Sequence, residues 1–262
     1  MIGIGIGTFH FSSLSLFRHV HATHHAYLGT ERDEQLWPFV DTRMPRWFRR
    51  TAAFGELTLG MFYDAVMFWN AFLRPSSPVY SGKARHRVRL EFAIMVVVWG
   101  TIFTLAATVG TGKWLFWLFI LPALTTGSLY AFRKYIEHMG LLGRTPAGLS
   151  RSIIHTGPLG KLFNFTMFNI GYHGVHHAYS SMPQHSLPEF AGVLENSETE
   201  TEVVYPSYRK ALGDMLPTLA DPRIGSQWLT AVATQPAATN KMTASRSPTA
   251  VQPGPIAGVA GS

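Results

Sequence analysis

Two long runs of apolar residues dominate the hydrophobic pattern of this chain. The first covers residues 88 to 109 with Glu91 near one end, and the second covers residues 114 to 132 without a charged residue. A helix needs about 20 apolar residues to cross the hydrocarbon core of a bilayer, so each run is long enough to span a membrane. The pattern therefore predicts two transmembrane helices.

Only Gly110 to Lys113 separates the two runs. Such a short connection predicts a tight antiparallel hairpin whose outer ends face the same compartment. The connecting turn contains one basic residue, whereas the outer ends of the runs contain several: Lys83, Arg85, Arg87, Arg89, Arg133 and Lys134. By the positive-inside rule, we expect the outer ends to be cytoplasmic.

Three other apolar segments complete the predicted fold. Residues Ile2 to Val20 are typical of a glycine-punctuated apolar helix, and Leu159 to Ile170 of an interfacial one. Residues 52 to 73 are interrupted by Glu56 and Asp64, which favours a helix at the interface or packed on protein over a free span. The predicted fold class is an all-α integral membrane protein with a transmembrane hairpin, interfacial helices and a cytoplasmic His-rich cap.

The composition changes near the C-terminal end of the chain. Past about residue 235 the sequence consists mainly of Ala, Thr, Ser, Pro and Gly without apolar periodicity. Such sequences cannot bury enough apolar surface to fold. The prediction is one domain over residues 1–234, followed by a disordered tail over residues 235–262 that is dispensable for chemistry.

Composition narrows the chemistry that the chain can perform. Charged residues make up 14% of the sequence, well below the quarter that is usual in soluble domains, as lipid-facing surface requires. The absence of cysteine excludes disulfides, thiolate ligands and iron-sulfur clusters, so a metal must be held by nitrogen and oxygen. The net charge of +7 comes from basic residues beside the apolar runs, so no nucleic-acid partner is expected.

Two His-x-x-His-His triplets are the main candidates for metal ligands. His21, His24 and His25 form the first triplet, whereas His173, His176 and His177 form the second. Side chains at positions i, i+3 and i+4 share one face of a helix, so each triplet can direct three imidazoles into one cavity. His138 follows the second apolar run directly, and the triplets can meet it in the cytoplasmic compartment.

The order of these motifs resembles that of the membrane fatty acid desaturase superfamily. The resemblance runs from about Phe17 to Phe190 and rests on three elements: the first triplet, the segment Tyr135-Ile-Glu-His-Met-Gly-Leu141, and the segment Asn169-Ile-Gly-Tyr-His-Gly-Val-His-His177 with Pro183, Leu187 and Pro188 after it. The Glu-His-x-Gly-Leu element also looks like that of the related membrane alkane hydroxylases. The motifs specify the superfamily strongly and the substrate weakly.

The resemblance implies a non-haem centre of two iron ions that uses O₂ as co-substrate and two external electrons to attack an unactivated C–H bond. It also implies a ferredoxin or a cytochrome b5-like protein as electron donor, and an acyl chain as substrate in the lipid bilayer. Imidazole suits divalent first-row metals. The implied ligands are His21, His24, His25, His138, His173, His176 and His177. Glu137 and Asn169 are candidates for supporting or occasional ligands.

One element that is usual in the superfamily is not seen in this sequence. Members carry an earlier His box on a preceding membrane helix, and the spacing of His10 and His19 does not match it. The favoured interpretation is an N-terminally truncated chain. Three functions remain open: an acyl-lipid or acyl-thioester desaturase, a lipid, alkane or carotenoid hydroxylase or ketolase, and a non-catalytic membrane protein that has lost a ligand box.

Other polar residues are assigned structural roles. The remaining histidines are expected to be ordinary surface or core residues: His10, His19, His86, His155 and His185. Glu56 and Asp64 are expected to pack between helices or lie at the interface. Residues Glu195 to Glu202 are predicted to form a solvated acidic loop.

Overall fold

A computed structural model of the protein describes residues 2–75, 77–194 and 200–234, so the predicted tail lies outside the described residues. This part of the chain is mostly helical, as predicted. Its helices are α1 (Ile2–Phe9), α2 (Leu14–Ala26), α3 (Arg46–Leu59), α4 (Met61–Leu73), α5 (Gly82–Thr108), α6 (Gly112–His138), α7 (Pro146–Leu149), α8 (Gly157–Thr166), α9 (His173–Ala178), α10 (Tyr208–Met215) and α11 (Gln227–Thr234). Short 3₁₀ segments lie at Leu187–Phe190 and Leu216–Ala220.

Helices α5 and α6 correspond to the two predicted spans. Each has 27 residues and is long and apolar enough to cross a membrane. Only 17% of the most apolar window of each helix is buried, whereas a core helix of a soluble protein would be mostly covered. Helix α6 contains a π-helical turn at Phe116–Ile120, directly before Pro122. Proline lacks the N–H that would continue the regular α-helical ladder, which accounts for the altered turn.

The N-terminal apolar segment is two helices instead of the single predicted one. The chain breaks between α1 and α2, where Phe11 adopts a φ of 51°. The rings of Phe9 and Phe11 contact both Trp99 of α5 and Phe119 of α6. Because the Trp99 indole N–H donates to the Thr8 carbonyl at 2.8 Å, the polar backbone exposed by the break is satisfied within the bundle.

Residues 52 to 73 are also divided between two helices, and the prediction of one helix was wrong. Gly60 separates α3 from α4 with a φ of 52°, a conformation that glycine tolerates best. A side chain at this position would collide with the backbone of α6 at Leu124 and Gly127. The glycine therefore allows α3 and α4 to pack closely against α6.

A buried carboxylate in α5 fixes the start of the helix that carries the first triplet. Glu91 accepts hydrogen bonds from the Ser13 hydroxyl at 2.6 Å, from the Ser15 hydroxyl at 2.6 Å and from the Ser15 backbone N–H at 3.0 Å. Ser13 in turn caps α2 by accepting from the Leu16 N–H. These contacts set the position of α2 against α5.

The cap has its own apolar core beneath the histidines. It combines residues of α3, the end of α6 and the C-terminal helices: Leu36, Phe39, Val40, Ala52, Ala53, Tyr135, Ile136, Met139, Leu149, Ile153, Ala211, Met215 and Ile224. Two short strands, β1 (Arg151–Ile153) and β2 (Val203–Tyr205), pair in parallel at its edge. The all-α prediction missed this ladder because two three-residue strands, 50 positions apart, leave no periodic signal.

One basic residue of the expected cytoplasmic flank is not on the surface. Lys134 is buried and forms an ion pair with Glu56 of α3, whose carboxylate also accepts from the Tyr135 hydroxyl at 2.6 Å. Glu56 thus packs between helices, as the sequence predicted. Lys134 holds α3 and α6 together instead of contributing to a basic face.

Candidate metal centre

All seven predicted histidines lie in one cluster at the end of the bundle. Helix α2 supplies three of them, the last residue of α6 supplies His138, and α9 supplies the other three. His24, His138, His173 and His177 are buried, whereas His21, His25 and His176 are half-buried. The cluster therefore has one side inside the cap and one side near its surface.

The cluster divides into two groups, and each triplet contributes to both. His21 and His25 meet His176, while His24 meets His138 and His177, with the ligand atoms of each group within 4.8 Å of one another. His173 joins the second group through His138 and Glu137. Each triplet is therefore shared between the two groups of a single cluster. Positions 24 and 25 are about 100° apart around α2, which sends them to different groups.

Hydrogen bonds fix three of the rings with Nε2 toward the centre. The Nδ1–H of His21 donates to Gln35 Oε1 at 2.9 Å, and that of His24 donates to Asp33 at 2.9 Å. The Nδ1–H of His138 donates to the Leu149 carbonyl at 2.8 Å. In a neutral imidazole whose Nδ1 carries the proton, Nε2 carries a free lone pair. These three rings present ligand atoms to the cluster.

Several Nε2 atoms lie unusually close together. The Nε2 atoms are 3.1 Å apart in His21 and His25, 2.9 Å in His138 and His173, and 3.1 Å in His173 and His177. A single N–H on His173 cannot serve both of its neighbours. Two imidazoles bound at right angles to one ion, with bonds of about 2.1 Å, would have their nitrogens about 3.0 Å apart. The spacing thus fits shared metal ions.

The electrostatics of the cluster also suit metal binding. Burial, followed by repulsion from neighbouring imidazoles, lowers the pKa of His25 to about 3 and that of His176 to about 4. The same causes hold the pKa values of His173 and His177 well below 6.5. These four imidazoles are therefore neutral at physiological pH, which is the form that binds a metal.

A family model described as fatty acid desaturase matches residues 1–209. The chain belongs to the fatty acid desaturase family. The match contains all seven clustered histidines and ends at the start of α10. No curated protein and no solved structure matches the chain significantly. The resemblance read from the three His motifs is confirmed at the level of the family.

Of the two supporting residues proposed from the desaturase motifs, one lies in the cluster. Glu137 is buried, with one carboxylate oxygen 3.6 Å from His173 Nε2 and the other 3.3 Å from Arg133. It is thus a candidate oxygen ligand. The side chain of Asn169 instead donates to the Gln184 carbonyl at 3.1 Å, and its φ of 53° places it in a turn before α9.

Sequence reasoning missed the residues that orient the rings of this desaturase-family centre. Asp33 and Gln35 lie in a loop and Leu149 ends the short helix α7, all outside every His motif. Asp33 is fully buried and also accepts from the Gly29 N–H at 3.0 Å and the Leu36 N–H at 3.2 Å. A carboxylate nine residues after His24 gave no signal, because only the folded loop brings it back to that ring.

We expect Asp33→Asn to weaken metal binding by about 10- to 100-fold, the usual cost of losing the acceptor behind a ligating histidine. An asparagine amide has only one oxygen, so it cannot accept from both His24 and the loop N–H groups as the two carboxylate oxygens do. Metal affinity, measured by competition with a chelator, checks this. The matched control is Glu31→Gln, an exposed position of the same loop that should bind metal normally. Equal metal affinity in the two variants would show that Asp33 does not support the metal centre.

The metal-free protein should lose stability as the pH falls from 7 to 5. Histidines in the unfolded chain titrate near 6.5, whereas His25 and His176 in the fold titrate at about 3 and about 4. Below pH 6.5 the unfolded state therefore binds more protons, and stability declines until the folded pKa values are reached. Thermal unfolding of the metal-free protein measures the slope, which His25→Gln should make shallower. An unchanged slope would contradict the burial of these neutral rings.

Proposed function

We propose that the protein is a membrane-bound di-iron desaturase that removes two hydrogens from adjacent carbons of an acyl chain at the expense of O₂. The observation that carries the proposal is the pair of converging imidazole groups in a chain of the desaturase family. Two groups of converging nitrogens, with one buried carboxylate at the second, suit two divalent first-row ions.

The proposed ligands are His21, His25 and His176 for one ion, and His24, His138, His173 and His177 for the other. Iron held there would supply the reduction of O₂ and the oxidation of an unactivated C–H bond. For each double bond, one O₂ combines with the two hydrogens removed from the acyl chain, two external electrons and two protons to give two water molecules. The protein's part is to aim the ring nitrogens inward, which the hydrogen bonds to Asp33, Gln35 and the Leu149 carbonyl do.

Two cavities that meet at Tyr130 are the proposed place of the substrate. One, of about 400 Å³, lies among apolar groups of α1, α2, α4 and α6, including Leu14, Phe17 and Phe68. The other, of about 510 Å³, reaches His176. Since Tyr130 lines both, an acyl chain passing this ring would lie partly in the apolar bundle and partly beside the first group of histidines.

The proposed setting is a membrane, with α5 and α6 as spans and the histidines on the cytoplasmic side. The apolar residues exposed along these helices support this placement: Val96, Val97, Leu105, Val109, Trp117 and Leu118. Helix α8 also exposes Leu159 and Phe165, as an interfacial helix would. A ferredoxin or a cytochrome b5-like protein is the proposed electron donor, attracted by exposed Lys83 and Arg89 at the start of α5.

Mass spectrometry of the products tests this proposal. The full-length chain in lipid nanodiscs would receive deuterated acyl lipids, O₂ and a reduced ferredoxin, with His176→Ala as the inactive control. Products lighter by two deuterium atoms are expected. Products that gain an oxygen would replace desaturation by hydroxylation, and an absence of any histidine-dependent product would overturn the enzymatic proposal.

A further inference from the structure

A short acidic segment that is distant in sequence from every His motif contacts both helix α9 and the loop behind His138. Residues 200–205, here called the strap, include β2 and follow the undescribed residues 195–199. The sequence predicted a solvated loop here, and this is wrong for Glu202, which is buried. The carboxylates of Glu200 and Glu202 are both bound to backbone N–H groups of the cap.

Glu202 holds the first turn of α9. Its side chain is 6% exposed and accepts from the Gly174 N–H at 3.0 Å and from the Ser152 hydroxyl of β1. The Ser152 oxygen lies 3.1 Å from the same Gly174 nitrogen. Gly174 directly follows His173, so the carboxylate holds α9 next to one of its proposed ligands.

This contact gives a reason for glycine at the second position of the second triplet. A methyl group on Gly174 would collide with the Glu202 carboxylate. The equivalent position of the first triplet is the exposed Ala22, where nothing needs to approach the backbone. The two triplets therefore differ at this position because a carboxylate binds the backbone N–H there only in the second triplet.

Glu200 likewise binds the backbone of the loop behind His138. Its carboxylate accepts from the Arg144 N–H at 2.9 Å and from the N–H and hydroxyl of Thr145 at 2.8 and 2.7 Å. This loop leads through α7 to Leu149, whose carbonyl orients the ring of His138. Strand β2 follows Glu202 directly and pairs with β1, which anchors the strap to the cap.

We propose that the strap positions the metal centre, with Glu202 and Glu200 as positioning residues that set α9 and the loop behind His138 relative to each other. The inference rests on the proposed metal centre. A carboxylate that binds backbone N–H groups fixes an element without contacting the metal, so its loss should displace ring nitrogens while leaving every ligand present. Glu202 acts through the hydrogen bonds that it accepts, and these bonds are what holds the backbone of α9 in place.

The test is a titration of Co²⁺ into the metal-free full-length chain in detergent, followed by the visible absorption bands that report the coordination of the ion. We expect Glu202→Ala and Gly174→Ala each to weaken Co²⁺ binding by at least about tenfold and to alter the bands. Glu202→Gln should bind Co²⁺ nearly as the wild type does, since the amide oxygen can accept from both Gly174 and Ser152. Gly213→Ala is the control glycine, because a methyl group there meets nothing within 4 Å.

The double variant Glu202→Ala/Gly174→Ala separates positioning from a general loss of folding. Removing the carboxylate removes the collision and leaves the Leu194 side chain 3.2 Å from the added methyl group, so the combined loss of Co²⁺ affinity should be clearly smaller than the sum of the two single losses. Fully additive losses would overturn the inference, as would wild-type affinity and bands in Glu202→Ala. Failure of Glu202→Gln to restore the bands would overturn the acceptor role. If the wild type bound no Co²⁺, the proposed metal centre itself would fail.

Discussion

We expect His176→Ala and His24→Ala each to lower turnover by at least about 100-fold, more than the loss of a supporting acceptor would cost. The two variants should differ in metal content. Without His176, the first group retains only His21 and His25, so about one of two irons should be lost. Without His24, the second group still has His138, His173 and His177, and its ion should be held more weakly.

The control for both variants is His185→Ala, which removes an exposed imidazole outside the cluster. All three proteins should insert into membranes equally, because the ligands lie at the end of the bundle and the apolar surface lies along α5 and α6. Near-normal product formation by His176→Ala would show that the cluster is not the reaction centre.

The largest effect on stability is expected at the buried ion pair between Lys134 and Glu56. Lys134→Met leaves the Glu56 carboxylate buried without its cation, at a cost of about 3–5 kcal/mol. For a chain of this size the melting temperature should fall by roughly 6–20 °C. Thermal unfolding of the metal-free protein measures this loss independently of ligand binding.

The double variant Lys134→Met/Glu56→Gln removes both charges and should regain part of the lost stability. Arg89→Met, which removes an exposed charge from α5, should change stability by no more than about 0.5 kcal/mol. If Lys134→Met were as stable as Arg89→Met, the ion pair would contribute nothing to the junction of α3 and α6.

The features that the sequence predicted correctly are those with a local signal. The lengths of the apolar runs predicted α5 and α6, and the spacing of the two triplets predicted that their rings share a helix face. His138 was found through its place after the second run. Each of these inferences needs only a few neighbouring positions, and the family match supports the motifs on which they rest.

The features that were missed depend on contacts between distant segments. The exchange of His24 and His176 between the two groups is set by how α2 and α9 face each other across the cluster. Asp33 and Glu202 are isolated acidic residues in the sequence, and only the fold brings them to His24 and Gly174. The break at Gly60 likewise follows from the close approach of α6, which no local pattern records.

Iron per chain, measured after purification in detergent under reducing and anaerobic conditions, tests the central claim most directly. Two groups of converging imidazoles predict about two irons per chain, falling to about one in His176→Ala. Little or no iron in the wild type, under conditions in which the chain is folded, would contradict the claim that these seven histidines form a di-iron centre.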